Sequence, residues 1–561
     1  MQNRGLIDKV SWPGGKTGAF LLAILLAIFF SYRMGNRHFA DPDEGRYVEI
    51  SREMVDSGDF ITPRLNGFRY FEKPPLFYWM QAVIQKVLGI SETSMRLWVF
   101  FFAILGCLGV FFVGTKYYST AVGLTSSAIL ATNILYYAHS RLIILDLVLS
   151  IFIGGALWCF FLAFVKPLGG FSGSYMMLSG VFAALACLTK GLIGIVLPGI
   201  IVFFWMICTK NLKKIKEIFH IPAICVFLII FLPWHVVMCL RHADFAHFYF
   251  VVEHFLRYTS TIHNRCQPFW FFIPILLLGF MPWTGFALVG IKNAFRKAIA
   301  VQDSENIFFL CWIFCGLIFF SLSESKLVPY ILPILPPLAL TTGISLVNSL
   351  DTGGKDLKNG IWSSVILLVV VFIAYLFLGK PAVVDVLKNQ DAMFLVNVFA
   401  GLLVASLAIL VFSCKIPPVA TLLAYVFVSM NMMWTINEAA VFYQEVKKPS
   451  TKRMAETINF NLRKSEDLVY CYGRYYQDFP VYLRSTVGVV DFVGELEFGA
   501  SSEQHGSRLL TKNEFWQLWT TANKRIFLLL SRERYREIFA AENPAHRVLD
   551  FDKNFVVIMN K

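Results

Sequence analysis

Residues 39–79 read FADPDEGRYVEISREMVDSGDFITPRLNGFRYFEKPPLFYW, and they lie between the first two long apolar segments of the chain. Only 16% of the residues are charged, yet Asp41, Asp43, Glu44, Arg46, Glu49, Arg52, Glu53, Glu72 and Lys73 all fall in this one loop. A loop that only crossed water could use any polar residues; alternating carboxylates, cations and tyrosines suit a polar ligand. Asp41-Pro42-Asp43-Glu44 reads as a helix start, with Asp41 as N-cap, Pro42 at the first helical position and Glu44 closing a capping box. Gly58 reads as the stop. Asp43, Tyr47, Ile50 and Met54 then share one face. The cap does not need Asp43, which leaves it for function or for the helix dipole. Lys73 precedes Pro74-Pro75, so its backbone is expected to be extended. Glu72 and Lys73 are either functional or a structural ion pair.

Outward from this loop, the composition bounds the class. With 561 residues, 57% hydrophobic, the chain lies outside soluble averages. Apolar segments of membrane-spanning length recur, which makes it a polytopic membrane protein. The net charge of +13 belongs to a membrane-protein bias and does not indicate nucleic acid. The eleven cysteines are scattered without a CxxC pair, so neither a disulfide framework nor a zinc–thiolate site is expected. The first apolar segment, near Gly18–Met34, lacks a convincing small-residue cleavage site and is read as an anchor.

Thirteen spans are expected, at 17–33, 94–115, 120–138, 142–165, 173–189, 191–208, 218–240, 268–290, 305–322, 327–346, 361–379, 394–413 and 416–436. Pro75–Leu88 is short and broken by Gln81, Gln85 and Lys86, which suits a helix lying in the interface. Lysines and arginines collect in alternate connections: Lys210, Lys213, Lys214 and Lys216 in one, Lys292, Arg296 and Lys297 in another, Lys355 and Lys358 in a third. That bias places those connections inside and the 34–93 loop outside, with the C-terminus also outside.

The outer side collects further unusual residues. Asp146 lies about one turn into the fourth span, and a carboxylate at membrane depth signals function unless it is paired, here with Arg141. Glu253-His254 with Arg257 one turn on is a compact polar cluster, or simply a surface helix. Lys326 and Tyr330 fall in SESKLVPYILPILPPLAL (321–340), whose prolines break regular helix. Such irregularity is tolerated at membrane depth where it is buried in protein or lines a cavity. The expected domains are 1–438, spanning the membrane and including the 34–93 loop, and 439–561, a soluble α/β domain. In the latter, stretches around 469, 487–492, 525–531 and 555–559 read as strands.

Cations at a membrane surface suit a lipid-linked phosphate, and carboxylates beside them suit sugar hydroxyls, an amine, a proton transfer or a divalent ion. The stretches PDEGRYVEISREM, GFRYFEKPPLFYW, LTKG, EHFLR and SESKLVPYILPILPPLAL closely resemble the bacterial aminoarabinose transferases of lipid A. These are GT-C glycosyltransferases, related more distantly to protein O-mannosyltransferases. The resemblance implies a GT-C fold of about thirteen transmembrane helices with a C-terminal soluble α/β domain. It implies transfer of 4-amino-4-deoxy-L-arabinose from undecaprenyl phosphate to a lipid A phosphate, at the periplasmic face of the inner membrane, reducing binding of polymyxin-type peptides. Another polyprenyl-phosphate-linked sugar is the alternative donor. On matching positions it makes Asp43 the motif acid, Asp146 the span-four acid, and Lys73, Arg257 and Tyr330 the phosphate contacts. Arg46, Tyr47, Tyr70 and Lys326 complete the substrate-binding set. Glu72 would belong to a zinc or magnesium site, with His254 chosen as its histidine. Lipid A, membrane lipids and the lipid-linked donor are the expected partners of a monomer.

A sugar phosphodiester has a competent leaving group once its developing charge is neutralised. An acceptor phosphate is largely ionised at neutral pH and needs no strong base; a hydroxyl acceptor would need Asp43 as base. Single displacement with inversion is expected, because no dedicated nucleophile stands out. A transporter would also carry broken helices and buried charge, but no inverted repeat is visible.

Overall fold

The structure, a computed structural model, describes residues 15–165, 170–259, 266–350, 353–378, 400–447 apart from 402, 410 and 414, 450–463, 467–502, 508–541 and 544–560. Its contacts divide the chain into two compact units, one of residues 1–34 and 98–440 and the other of residues 35–97 and 441–561. The sequence reading grouped the 34–93 loop with the membrane domain; the packing groups it with the C-terminal segment instead.

The first unit is helical. Among the described residues, seven helices are long and apolar enough to cross a membrane, or eight if Phe272–Gly279 and Thr284–Val301, bent by 111°, form one span. Gly15–Ser31, Thr120–Ala131 and Ile193–Cys208 are shorter apolar helices. The expected third span is divided: Thr120–Ala131 stops, Asn133 caps a new helix by accepting from the Tyr136 amide, and Ile134–His139 follows. The expected twelfth span, 394–413, lies partly outside the described residues.

Burial ranks these helices. The most apolar stretch of Leu145–Val165 is 83% buried and that of Val328–Leu350 is 94% buried, whereas that of Ile221–Arg241 is only 28% buried. The first two therefore form the interior and the third faces outward. Trp158 and Trp312 pack at 4.7 Å between ring centres, with Phe308, Phe309 and Phe161 around them. The expected irregularity of the proline-rich stretch is present: Val328–Ile334 winds as a 3₁₀ helix before Leu335–Leu350 continues as α.

The second unit begins with the helix Asp43–Ser57. It ends, as expected, at Gly58 in the left-handed conformation (φ +72°). The start differs from expectation. The N-cap is Pro42, which has no capping side chain. Asp41 instead accepts from Arg474 Nη2 at 2.5 Å and from the Gln477 amide at 2.9 Å. Glu44 accepts from the amide of Ala40 and forms a buried pair with Arg96 at 2.7 Å. Both acids are drawn to arginines distant in sequence, a pull that local capping rules cannot register.

Next come the strands β1 (Arg64–Leu65) and β2 (Phe68–Arg69), joined by Asn66 and Gly67, both at positive φ. That is the pair a tight antiparallel turn favours. Asn66 exchanges two hydrogen bonds with the Val487 backbone, of 2.8 and 2.9 Å. The helix Leu76–Leu88 follows, burying Phe77, Tyr78 and Gln81 and exposing Val83, Val87 and Leu88. That amphipathic division agrees with an interface helix.

The C-terminal segment contributes a six-stranded sheet, in the order β5-β4-β3-β6-β8-β7. Its strands are β3 (Leu468–Tyr472), β4 (Gly488–Val490), β5 (Leu509–Leu510), β6 (Ile526–Ser531), β7 (Arg547–Phe551) and β8 (Phe555–Met559). β5, β4, β3 and β6 run parallel, and β8 and β7 complete the sheet antiparallel. The four strands read from the sequence are the buried ones. The two edge strands, β5 and β7, were missed, because they are short or largely exposed and lack a sustained apolar run. The helices Phe479–Leu483, Lys512–Thr521 and Arg532–Ala541 connect strands of this sheet.

Candidate functional site

In the second unit the residues converge on Arg46. Its guanidinium is buried and reaches Asp43 at 2.6 Å, Glu495 at 3.1 Å and the Tyr70 hydroxyl at 3.4 Å. It also lies 5.6 Å from the centre of the Tyr47 ring. Asp43 is the first residue of its helix and keeps 56% of its side chain exposed, so it presents a carboxylate at the edge of the cluster. Tyr70 and Tyr78 are fully buried, and burial first, then the Glu72 charge, pushes the Tyr70 hydroxyl well above its ordinary range. Lys73 is buried and donates to the Glu72 carbonyl at 2.7 Å.

Glu495 was not found from the sequence. It lies in the 3₁₀ turn Gly494–Leu496 of the C-terminal segment, and Gln477 Nε2 holds its second oxygen at 2.7 Å. No motif marks it; only folding brings it to Arg46. The other charges of the loop helix are structural. Arg52 bridges Glu49, at 2.5 and 2.7 Å, and Asp56, while Glu53 accepts from the Gly67 amide at 2.8 Å. Burial, and then the Glu49 charge, pushes the Glu53 carboxyl upward.

In the first unit, Asp146 pairs with Lys190, both largely buried. Lys190 Nζ also lies 4.4 Å from the centre of the Tyr330 ring, so one ammonium connects the span-four acid to the proline-rich stretch. The expected partner, Arg141, donates to the Tyr137 hydroxyl at 2.7 Å and to the Tyr32 carbonyl at 2.6 Å. Arg257 pairs with the buried Glu253 at 2.6 Å, as their spacing allowed. That segment, His247–Leu256, winds as a π helix. Lys326 is buried and donates to the Gln267 carbonyl at 2.9 Å and to the Ser323 carbonyl at 2.5 Å.

His254 does not fit the metal-ligand role expected of it. Its Nδ1 lies 2.5 Å from the Tyr249 carbonyl and therefore carries the proton. Its Nε2 accepts from the Leu192 amide at 3.2 Å. Both nitrogens are engaged, so the imidazole has no lone pair to give a cation. Among the described residues, no group of three or more His, Cys, Asp or Glu side chains is arranged to hold a metal ion. The ring instead fastens the Leu188-Thr189-Lys190-Gly191 turn. Gly191 has φ +100°, and a Cβ there would fall 1.9 Å from His254 Nε2.

Comparison with known proteins gives two family matches, one towards each end of the chain. The family described as Dolichyl-phosphate-mannose-protein mannosyltransferase matches residues 17–249. The family described as Aminoarabinose transferase C-terminal domain matches residues 454–560. The undecaprenyl phosphate-alpha-4-amino-4-deoxy-L-arabinose arabinosyl transferase of Yersinia enterocolitica is 32% identical over 326 residues, covering 58% of each chain. That of Shewanella sediminis is 34% identical over 349 residues, covering 60% of this chain and 62% of its own. The chain thus matches about three-fifths of the length of these curated relatives. The crystal structure of ArnT from Cupriavidus metallidurans bound to undecaprenyl phosphate superposes with a TM-score of 0.84 at 24% identity, over 98% of this chain and 99% of that one. Helices of membrane-spanning length, a C-terminal α/β sheet and these likenesses agree: the chain is a polytopic membrane protein that shares the fold of that crystal structure and is similar in sequence to the aminoarabinose transferases.

Proposed function

We propose that this protein is a glycosyltransferase that moves 4-amino-4-deoxy-L-arabinose from undecaprenyl phosphate to a lipid A phosphate. The reaction takes place at the periplasmic face of the inner membrane and lowers sensitivity to polymyxin-type cationic peptides. The observation that carries this reading is the shared activity of the curated relatives at about 30% identity. The charge types in each unit support it.

The chemistry needs three things. The leaving undecaprenyl phosphate must have its developing charge neutralised, and Lys73 and Arg257 are assigned that role. Each is partly spent on a neighbour, Lys73 on the Glu72 carbonyl and Arg257 on Glu253, which fixes its direction before substrate arrives. The sugar must be held, and Tyr47, Tyr70, Lys326 and Tyr330 offer hydroxyl, ring and ammonium contacts. The acceptor must approach the anomeric carbon opposite the leaving group. A phosphate acceptor is already a nucleophile, so Asp43 steers it, or stabilises positive charge on the sugar, without removing a proton. The anomeric carbon–phosphate oxygen bond breaks as the acceptor oxygen bonds to that carbon, inverting it. Asp146, compensated by Lys190, keeps a fixed charge in the first unit. No step is assigned to a metal, since His254 is committed to the backbone.

The test is the lipid A mass spectrum of cells carrying this protein together with the donor pathway. The expected product is heavier by one aminopentose, with a matching rise in polymyxin resistance. Unchanged lipid A beside a different modified glycan would transfer the assignment to another polyprenyl-phosphate sugar.

A further inference from the structure

A polar pocket lies in the first unit, at the lysine-bearing ends of four helices. Thr284–Val301 and Leu335–Leu350 end there, and Ser304–Leu322 and Lys355–Leu378 begin there. Its volume is about 350 Å³, the lower end of the range for small-ligand sites. Three of its lining residues form a triangle of hydrogen bonds. Asn293 Nδ2 donates to Asp356 Oδ2 at 2.7 Å and to Ser345 Oγ at 2.8 Å, and Ser345 Oγ donates to the same carboxylate oxygen at 3.0 Å. This fixes the Asp356 carboxylate and occupies one of its oxygens. Among the described residues, Asp356 Oδ1 has no partner.

Arg296, Lys297 and Lys355 line the same pocket and are exposed. None of them forms an ion pair among the described residues. Three cations therefore face one carboxylate, leaving an excess of positive charge. Accumulation of lysine at one membrane face needs no pocket, since topology alone selects it. A pocket lined by a fixed carboxylate is a separate feature. The combination suits a ligand that carries a phosphate and, a few ångströms away, a hydrogen-bond donor. Basic pockets between spanning helices at the cytoplasmic side are a known form of lipid headgroup site.

We propose that this pocket binds a phospholipid headgroup, with its phosphate on Arg296, Lys297 and Lys355 and its hydroxyl or ammonium donor on the Asp356 carboxylate. Two lipids carry that chemistry: a phosphatidylglycerol donates a hydroxyl, and a phosphatidylethanolamine donates an ammonium. A phosphatidylcholine has the phosphate but no donor. The site is separate from the transfer chemistry and does not depend on the donor sugar.

The experiment uses the full chain, delipidated in detergent and given phosphatidylglycerol, phosphatidylethanolamine or phosphatidylcholine with identical acyl chains. Retained lipid is counted by native mass spectrometry. The phosphatidylglycerol or phosphatidylethanolamine adduct is expected to exceed the phosphatidylcholine adduct several-fold, and the larger of the two identifies the source. The double variant Arg296→Gln, Lys297→Gln should bring retention down to the phosphatidylcholine level. Both residues are exposed, so the fold should persist, and a thermal melt checks that it does. Asp356→Asn keeps an acceptor but loses the charge, so phosphatidylethanolamine should fall more than phosphatidylglycerol. Equal retention of all three lipids, or unchanged retention in a folded double variant, overturns the proposal.

Discussion

At the scale of the residue, Asp43 and Asp146 are both acids with a cationic partner, and their surroundings assign them opposite sensitivities. Asp43 caps nothing, since Pro42 holds the N-cap position, and its side chain is more than half exposed beside Arg46. Water screens the exposed carboxylate, and the buried Arg46 keeps Glu495 as a second acid, so losing the Asp43 charge costs about 0.2–1 kcal/mol. Asp43→Asn should therefore fold and melt near the parent. Transfer should fall on the order of 100-fold or more while undecaprenyl phosphate still binds, if the charge acts on the reacting groups. A folded Asp43→Asn with near-parent turnover would remove Asp43 from the mechanism. Lys73→Ala should lose a charge-assisted contact worth roughly 1.5–3 kcal/mol, lowering donor binding and turnover together, and Lys73→Arg should recover only part. Asp146 behaves differently, because it and Lys190 are buried together. Removing one partner strands a charge, at a cost of about 3–5 kcal/mol. Lys190→Met should thus lower the melting temperature sharply, and adding Asp146→Asn should restore most of it. If the single variant melts like the parent, the pair carries no structural charge.

At the scale of the element, two glycines with left-handed backbones make the same point about packing. Gly58 ends the loop helix at φ +72° with nothing within 4 Å of where a Cβ would lie. Gly58→Ala should cost only the strain of the left-handed conformation, about 1–2 kcal/mol. Gly191 has φ +100°, and its added Cβ would strike His254 Nε2. Gly191→Ala must also break the bond from the Leu192 amide to that ring, and the ring sits on the turn that carries Glu253 and Arg257. It should therefore lose more stability than Gly58→Ala and should also lose transfer activity. Equal melting temperatures for the two variants would show that the ring shifts aside without cost. The helix stop at Gly58 was legible because a C-cap is local to its sequence. The close approach at Gly191 was not, because its partner lies more than sixty residues away. The Asn66-Gly67 turn and the four buried strands carry local signals of the legible kind, whereas the pairing of Lys190 with Asp146 spans 44 positions.

At the scale of the molecule, the loop packs with the C-terminal segment as one unit, a grouping no local pattern announces. The long-range pairs that build the unit are Asp41 with Arg474, Arg46 with Glu495 and Glu92 with Lys452. Gly45 of the loop helix lies so close to the Gln477–Asp478 backbone that a Cβ would fall 2.5 Å from the Asp478 nitrogen. Asp478 is thus a titratable group at the join. Its Oδ2 accepts from the Thr451 amide at 2.9 Å and from Ser450 Oγ at 3.2 Å, while its Oδ1 is buried without a hydrogen-bond partner. Burial is the main cause that pushes its carboxyl from 3.8 up to about 6; the nearby Asp41 charge adds to this, and the Thr451 and Ser450 bonds oppose it. The folded unit therefore holds that proton more tightly than the unfolded chain does. The associated stability, of order 3 kcal/mol, is full below the unfolded value and is lost as the pH rises through the folded one. Glu53, also raised by burial, acts in the same direction. Glu92 acts oppositely, because Lys452 and His38 outweigh its burial and hold its carboxyl near 2, so its contribution is lost only in strong acid. Between pH 5 and 7.5, hydrogen exchange in residues 43–57 and 467–483, corrected for the intrinsic rate, should show greater protection at the lower pH. Asp478→Asn keeps an acceptor for the Thr451 amide and removes the titration, so its protection should change less with pH and should exceed the parent's at pH 7.5. Protection that rises with pH in the parent, or an unaltered pH profile in Asp478→Asn, would show that Asp478 is not the group that titrates where the loop helix meets the C-terminal segment.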